Sequence, residues 1–339
     1  VRPKSQKNGI KIVESLRVLC LGEILWDCLA DQAAASTAQV HSWTRYPGGA
    51  PANVATALVK LGTPAGFIGC VGTDELGQKL VDLLQTLGVN TMGIQHHPTA
   101  PTRQIEVLRW PAGDRQFAGF RGRATTDFAD THLQADLLPV ELFDAAEFLV
   151  LGTLELSYAD TRAAIERALE LAEQYYLKIL VDVNWRPMFW TEPNLAKSWI
   201  QQLISRVDFL KLTVEEAEWL FDTSDPNIIA EQAGDLEGVL VTAGAKGCTY
   251  FLSGHPGAVP SFPVEVEDTT GAGDSFVAGF IHQLCRQGIR ALSDPTLART
   301  IVTYASAVAA LTTTRAGAIS AQPTAAEVEA FLYLHRSKE

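Results

Sequence analysis

Short apolar runs of strand length alternate with amphipathic runs of helix length through almost the whole chain, and no other feature limits the fold as much. Strands are expected at 17–21, 67–71, 148–151, 179–183, 209–212 and 239–242, with helices at 49–61, 75–87, 160–175, 194–205 and 214–221. The segment 75–87 shows the logic: Leu76, Leu80, Leu83, Leu84 and Leu87 form one stripe at helical spacing, and Gly88 stops it. Such alternation implies an α/β fold with a mostly parallel sheet covered by helices on both faces.

One region breaks the pattern. Residues 103–110 alternate polar and apolar, Pro111-Ala112-Gly113-Asp114 reads as a turn, and 115–120 alternates again, which is a β-hairpin. A lone hairpin is unstable, so it is expected to join other short strands, with 29–46 contributing, in a small sheet that serves as a lid or an oligomer contact. A length of 339 residues suggests about two domains. No linker or repeat separates them, so the expected division is a poorly ordered extension at 1–15 and one domain at 16–335, with the lid drawn from about 29–47 and 97–124.

Composition narrows the partners. Hydrophobic residues at 47% against 19% charged supply a buried core and exclude a disordered chain. Lys plus Arg number 27 against 39 Asp plus Glu, a net charge of −12, which repels nucleic acid and anionic membranes. A small anionic substrate then needs a local pocket. Cys20, Cys28, Cys70, Cys248 and Cys285 are odd in number and lack C-x-x-C spacing, which favours reduced thiols over a disulfide framework or a zinc site. No run approaches 18 apolar residues, so no membrane span is expected. Residues 1–11 are basic and polar and read as a cytosolic extension or, alternatively, as the remnant of a plastid transit peptide.

Chemistry concentrates in two glycine-rich stretches. In Glu267-Asp268-Thr269-Thr270-Gly271-Ala272-Gly273-Asp274-Ser275-Phe276, small residues lead straight into an apolar helical run. A glycine turn at a helix start leaves backbone N–H groups free with the positive end of the helix dipole behind them, which suits phosphate. A carboxylate there, Asp274, makes sense as a base that takes a proton from an attacking hydroxyl; the plainer alternative is that it only satisfies the first helical turn. In Tyr46-Pro47-Gly48-Gly49-Ala50-Pro51-Ala52-Asn53, two glycines permit close approach of a ligand and Asn53 offers a donor and an acceptor to a polyol. Asp27 lies just past a strand's carboxyl end, where open α/β sheets bind ligands.

These two stretches, GGAPANVA and DTTGAGDSFVAGF, resemble both signatures of the ribokinase-type (PfkB) carbohydrate kinase family, in the family's order along the chain. Val71-Gly72-Thr73-Asp74, Asp182-Val183-Asn184-Trp185-Arg186 and Val241 to Gly247 extend the resemblance over roughly 17–320. Within the family the chain looks most like the fructokinases, through Thr102-Arg103, Gly113-Asp114-Arg115 and the Asp-x-Asn-x-Arg at 182–186.

The resemblance implies a three-layer α/β/α ribokinase-like fold with a β-sheet lid, and transfer of the ATP γ-phosphoryl group to the 6-hydroxyl of fructose. Asp274 is then the catalytic base, and the amides of Gly271, Ala272 and Gly273 the anion hole. Asp27, Gly48, Gly49, Asn53, Asn184 and Arg186 would hold the sugar, with Arg103 reaching in from the lid. Thr213, Thr242, Gly244, Gly247, Gly273 and Ser306 would line the nucleotide. Glu216 would organise Mg2+ through water, and Asp268, Thr270 and Gly317 fall where some relatives bind K+. Two departures stand out: Thr213 replaces the usual Asn of Asn-x-x-Glu, and Ser306 stands where relatives often have Asn beside the adenine. The same chemistry on another sugar or a nucleoside, and a catalytically silent scaffold, are the alternatives. A dinucleotide-binding dehydrogenase is disfavoured by the late position of the glycines. The hairpin residues Ile105, Val107, Phe117 and Phe120 point to a homodimer formed through the lid, because its edges need covering.

Overall fold

The structure, a computed structural model, describes residues 16–109, 115–234 and 236–336. The N-terminal extension and the hairpin turn Pro111 to Asp114 lie outside the described residues.

The expected strands form, with others between them. They are β1 (Val18–Leu21), β2 (Leu25–Ala33), β3 (Trp43–Gly48), β4 (Ala65–Gly72), β5 (Asn90–His97), β6 (Gln104–Arg109), β7 (Arg115–Gly119), β8 (Phe148–Leu151), β9 (Lys178–Asp182), β10 (Phe209–Thr213), β11 (Gly238–Thr242), β12 (Cys248–Leu252) and β13 (His255–Val259). The helices are α1 (Ala50–Lys60), α2 (Glu75–Leu87), α3 (Val140–Ala145), α4 (Ala159–Tyr175), α5 (Pro193–Ile204), α6 (Val214–Phe221), α7 (Pro226–Ala233), α8 (Ala272–Gln287), α9 (Pro295–Thr312), α10 (Ala318–Ala321) and α11 (Ala325–Arg336).

Nine strands make one sheet in the order β13-β12-β11-β10-β9-β8-β1-β4-β5. Neighbours from β11 through to β5 pair in parallel, and β12 runs antiparallel to both β11 and β13. The period of two sorts each strand's side chains between two layers. Val18 and Cys20 of β1 pack with residues of α1, α2, α8 and α9, whereas Leu19 and Leu21 pack with residues of α3 through α7. Both faces of the strands are therefore buried, which is why they read as continuous apolar runs. The caps are as local chemistry dictates: Asp74 accepts the N–H of Gly77 at the start of α2, and Gly88 ends it at φ 89°, in the left-handed region.

The second sheet has the order β3-β2-β6-β7 and stands at the carboxyl end of β1, which leads into β2 through Gly22. It begins at Leu25, and residues 97–103, placed with the lid by sequence, instead close β5 and cross over to β6. Its apolar face does not wait for a second copy. Leu25, Ile105 and Phe120 are buried with Phe128 and Phe189, and Val107 and Phe117 pack on them, so the residues read as a dimer face are used within the chain. The opposite face is covered in part by Ala34 and Val40 of the β2–β3 connection, packed with Ala30, Leu108 and Trp43.

Strand β5, which ends at His96 and His97, was not legible from sequence. It is an edge strand with mixed burial, so neither alternation nor a continuous apolar run marks it. The β12–β13 hairpin and the Ala-rich α9 escaped for related reasons: edge position in the first, weak amphipathic contrast in the second.

Candidate active site

The carboxyl ends of the parallel strands open into a cleft of about 1320 Å3 that runs from the lid to the β11–β12 connection. Its position follows from topology: strands end, helices turn away, and backbone is left facing a crevice.

Asp274 lies at the bottom of this cleft, in the first turn of α8, and is 9% exposed. Gly271 caps the helix at φ 77°, and a Cβ there would meet that of Ala318 at 2.9 Å, so the turn admits only glycine. The Ala272 N–H turns back to the Thr269 carbonyl at 3.2 Å, and the first bond of the helix proper runs from Ser275 N–H to Gly271 C=O at 2.9 Å. That differs from an anion hole of three equivalent amides: Ala272 already has an acceptor, and the amide of Gly273, in the first turn, is the better placed donor.

Asn53 Nδ2 donates to Asp274 Oδ2 at 2.8 Å. Asn53 is 4% exposed and its Oδ1 has no hydrogen-bond partner among the described residues, so the same side chain that orients the carboxylate offers an acceptor at the cleft. Burial raises the Asp274 pKa above the ordinary carboxylate value, while the Asn53 hydrogen bond and the charges of Lys211 and Arg186 pull it back. A carboxylate with a raised pKa is a stronger base than an exposed one and suits proton abstraction.

At the lid end, Asp27 of β2 lines the cleft. Gly48 itself does not line it; a Cβ there would lie 2.5 Å from Asp27 Oδ2, so its glycine makes room for that carboxylate. Gly49 does line the cleft, at φ 107°, where a Cβ would fall 2.4 Å from the Glu23 carbonyl. Asn184, at φ 40°, and the exposed Arg186 line the cleft from the loop after β9.

Arg103 requires a correction. It is 1% exposed, does not line the cleft, and holds Asp130 with Nε and Nη2. Nη1 and Nη2 also donate to Thr125, and the guanidinium sits 4.7–5.3 Å from the ring centroids of Phe120, Phe128 and Phe189. All three guanidinium nitrogens donate inside an aromatic cage beneath the lid. Arg103 therefore fastens the lid's base to the helical layer and has no place in the cleft wall.

Thr213, Thr242, Gly244, Gly247 and Ser306, the residues expected at the nucleotide, all line the cleft. Gly247, at φ 96°, packs so closely on β13 that a Cβ would lie 2.2 Å from the Val259 carbonyl. Sequence reasoning missed an apolar wall of Phe262, Val264, Val266, Ala309 and Ala310. Phe262 to Val266 carry no regular structure and hence no periodic signal.

Thr213 accounts for its own departure from the family pattern. It caps α6 in a reciprocal box: its Oγ1 accepts the Glu216 N–H at 3.2 Å, and its N–H donates to Glu216 Oε2 at 2.8 Å. Glu216 Oε1 accepts the Trp185 N–H at 2.6 Å, so one buried carboxylate ties the β9 and β10 loops together at the cleft. Among the described residues no cluster of three acidic, His or Cys ligands could cage a metal. A single carboxylate such as Glu216, with no cage around it, fits a Mg2+ that keeps its waters and takes phosphate oxygens.

Asp268 Oδ1 accepts from the Thr270 N–H at 3.0 Å and hydroxyl at 2.7 Å, and Oδ2 from the Gly317 N–H at 2.9 Å. The three expected K+ residues thus meet, and they line a second cavity of about 180 Å3 that shares Asp27 and Thr270 with the cleft.

Two further buried groups carried no sequence signal. Glu23 lines the cleft and accepts the Ala50 N–H at 2.7 Å. Burial raises its pKa to about 7, with hydrogen bonds from the Glu23 and Ala50 amides and with Glu155 pulling down. Glu155, 3% exposed, is pushed well above the carboxylate range by burial and then by the charge of Glu23. Lys211 and Asp182 form a buried ion pair, with Nζ 2.9 and 3.0 Å from the two carboxylate oxygens.

A sequence model described as pfkB family carbohydrate kinase matches residues 15–325. The probable fructokinase-3 of Arabidopsis thaliana is 34% identical over 325 residues, 95% of this chain and 92% of that protein. Fructokinase-1 of Zea mays is 34% identical over 92% of this chain and 96% of its own length. The Arabidopsis probable fructokinase-6, described as chloroplastic, is 34% identical over 92% of this chain and 81% of its own. Among solved structures, a fructokinase with bound ATP from Xylella fastidiosa superposes with a TM-score of 0.86 at 30% identity, covering 94% of this chain and 99% of that one. A putative ribokinase II from E. coli in complex with ATP and Mg2+ gives 0.82 at 28% identity, covering 94% and 100%. A fructokinase double mutant from Vibrio cholerae O395 bound to fructose, ADP and potassium gives 0.80 at 27% identity, covering 94% and 99%. The doubly covered sheet, the glycine turn that presents Asp274 and the extent of these matches agree: the chain belongs to the pfkB family of carbohydrate kinases.

Proposed function

We propose that the chain is an ATP-dependent fructokinase that phosphorylates the 6-hydroxyl of fructose with Asp274 as base. The Asn53–Asp274 hydrogen bond at the head of α8 carries the reading. It sets an oriented base beside first-turn amides, which is the pairing that phosphoryl transfer to an alcohol needs.

The sugar binds between Asp27 and Asn53, whose free Oδ1 accepts one of its hydroxyls. Asp274 takes the proton of the attacking hydroxyl as its oxygen bonds to the γ-phosphorus, and the bond to the β-phosphate oxygen breaks to release ADP. The Gly273 amide and the dipole of α8 neutralise the transferring oxygens. Phe189, Leu25 and Ile105 of the lid side line the cleft and exclude water, the competing acceptor. Glu216 would hold Mg2+ through water, and the ion would supply charge neutralisation on the phosphates. Potassium is assigned to the oxygens around Asp268, Thr270 and Gly317, and the potassium named with the Vibrio fructokinase supports that choice.

The open edges of β3 and β7 are the surfaces left for a homodimer through the lid, which light scattering on the purified chain tests. No helix among the described residues is long and apolar enough to cross a membrane. The cytoplasm is the compartment proposed, with the plastid stroma as the alternative that the chloroplastic relative supports.

A coupled ADP-release assay over a panel of sugars, with and without potassium, tests the function. Fructose is expected to give the highest kcat/KM, and another sugar that exceeds it overturns the specificity. Asp274→Asn is expected to lower kcat by about 10²–10⁴-fold with sugar binding retained. Near-wild-type turnover in that variant refutes the base assignment.

A further inference from the structure

We infer that Lys211 is a catalytic residue of this kinase, its ammonium donating to the γ-phosphoryl group opposite the Gly273 amide, with Asp182 as the residue that positions it. The inference rests on the kinase reading above.

The placement comes from the sheet. Lys211 of β10 is paired in register with Asp182 of β9, near the carboxyl ends of adjoining parallel strands, so both side chains emerge on the same side at the cleft. Both are nearly inaccessible, at 4% and 6% exposure, yet both line the cleft. The two Asp182 oxygens occupy at most two of the three ammonium N–H groups, and Lys211 has no other acceptor among the described residues. The atom lies 3.2 Å from where a Cβ on Gly273 would stand. A spare N–H, on a fixed cation, therefore borders the first turn of α8 where the phosphoryl group meets the helix.

The charge state supports the same role. Burial alone would push the Lys211 pKa down, but Asp182, then Glu216 and Asp274, more than offset it, so the group stays an ammonium. Its three acidic neighbours all belong to the reaction centre, and none is a residue of the lid. That places the cation on the phosphate side of the hydroxyl and not among the sugar contacts. As the bond from phosphorus to the β-phosphate oxygen breaks and that to the sugar oxygen forms, the hydroxyl proton passes to Asp274. Lys211 exchanges no proton and meets only the oxygens that carry charge throughout. A fixed cation in a dry site needs no reorganisation during the step, which is why it favours the transition state. A purely structural pair would need no place in the cleft, since burying two charges between strands gives little or no net stability.

The test uses the full chain, with Lys211→Met and, because that change strands a buried carboxylate, the double variant Lys211→Met with Asp182→Asn. Each is expected to lose about 10²–10³-fold in kcat while KM for fructose and the Kd for ADP stay within about threefold. The complex of enzyme, fructose, ADP and aluminium fluoride, which mimics the transferring group, is expected to weaken by the same factor. Lys211→Arg is expected to recover part of both. A folded double variant that keeps kcat within tenfold, or binds the aluminium fluoride complex as wild type does, overturns the inference. Wild-type protein that forms no ADP with any sugar overturns the kinase reading and this one with it; an active wild type and an undamaged variant overturn this one alone.

Discussion

Replacing Arg103 by methionine removes the guanidinium, keeps an unbranched stem, and leaves Asp130 as a buried carboxylate without its counter-ion. The side chains of the pair are 0% and 5% exposed, so solvent screens almost none of the change. Breaking such a pair from one side costs about 3–5 kcal/mol, against about 0–1 for an exposed pair. The rings of Phe120, Phe128 and Phe189 around the guanidinium carbon add to the loss and keep it near the upper figure. At roughly 1.4 °C per kcal/mol for a chain of 339 residues, the melting midpoint falls by about 4–7 °C. Differential scanning fluorimetry measures it, with steady-state kinetics alongside. Because Phe189 belongs both to the cage and to the cleft wall, the KM for sugar is expected to rise along with the lost stability. The double variant Arg103→Met with Asp130→Leu removes both charges and is expected to restore most of the midpoint. A single variant that melts within 2 °C of wild type and yet fails to bind sugar refutes the reasoning, since a direct sugar ligand would behave in that way.

Two titrations give independent checks. The raised pKa of Asp274 places more of it in the protonated, inactive form at a given pH, so the acid limb of kcat/KM is expected above the ordinary carboxylate range; a limb at or below about pH 4 contradicts the burial argument. The buried pair Glu23–Glu155 works on stability. The folded pKa of Glu23 is about 7 against an ordinary 4.5, so its stabilising contribution is full below 4.5 and is lost as pH rises through 7. Glu155→Gln removes one of the two competing charges and is expected to raise the midpoint at pH 8 and to change it little near pH 5. Melting curves across that range decide it, and an equal shift at both pH values speaks against competition between the two buried charges.

The chain-long alternation of strand and helix was enough to establish a doubly covered parallel sheet, because a strand buried on both faces must be apolar throughout. The glycine turn before Asp274 was equally legible: a helix start with positive φ at Gly271 leaves a local signature that no distant contact alters. Edge strand β5 was not legible, since half of its surroundings are solvent and its residues follow no fixed pattern. Arg103 shows the same limit at the site. The family resemblance implied a place near the sugar, but the depth of a long cationic side chain is decided by what encloses it, here Asp130 and three aromatic rings from distant segments. Lys211 erred in the other direction, unremarkable in a strand until the register set it against Asp182 and beside Gly273. The sequence by itself determined the layers and the glycine turn that presents Asp274. Tertiary structure alone decided which charges face the reaction and which only hold the walls, because a charge's role depends on its partners and its solvation, and both are assembled from segments far apart in the chain.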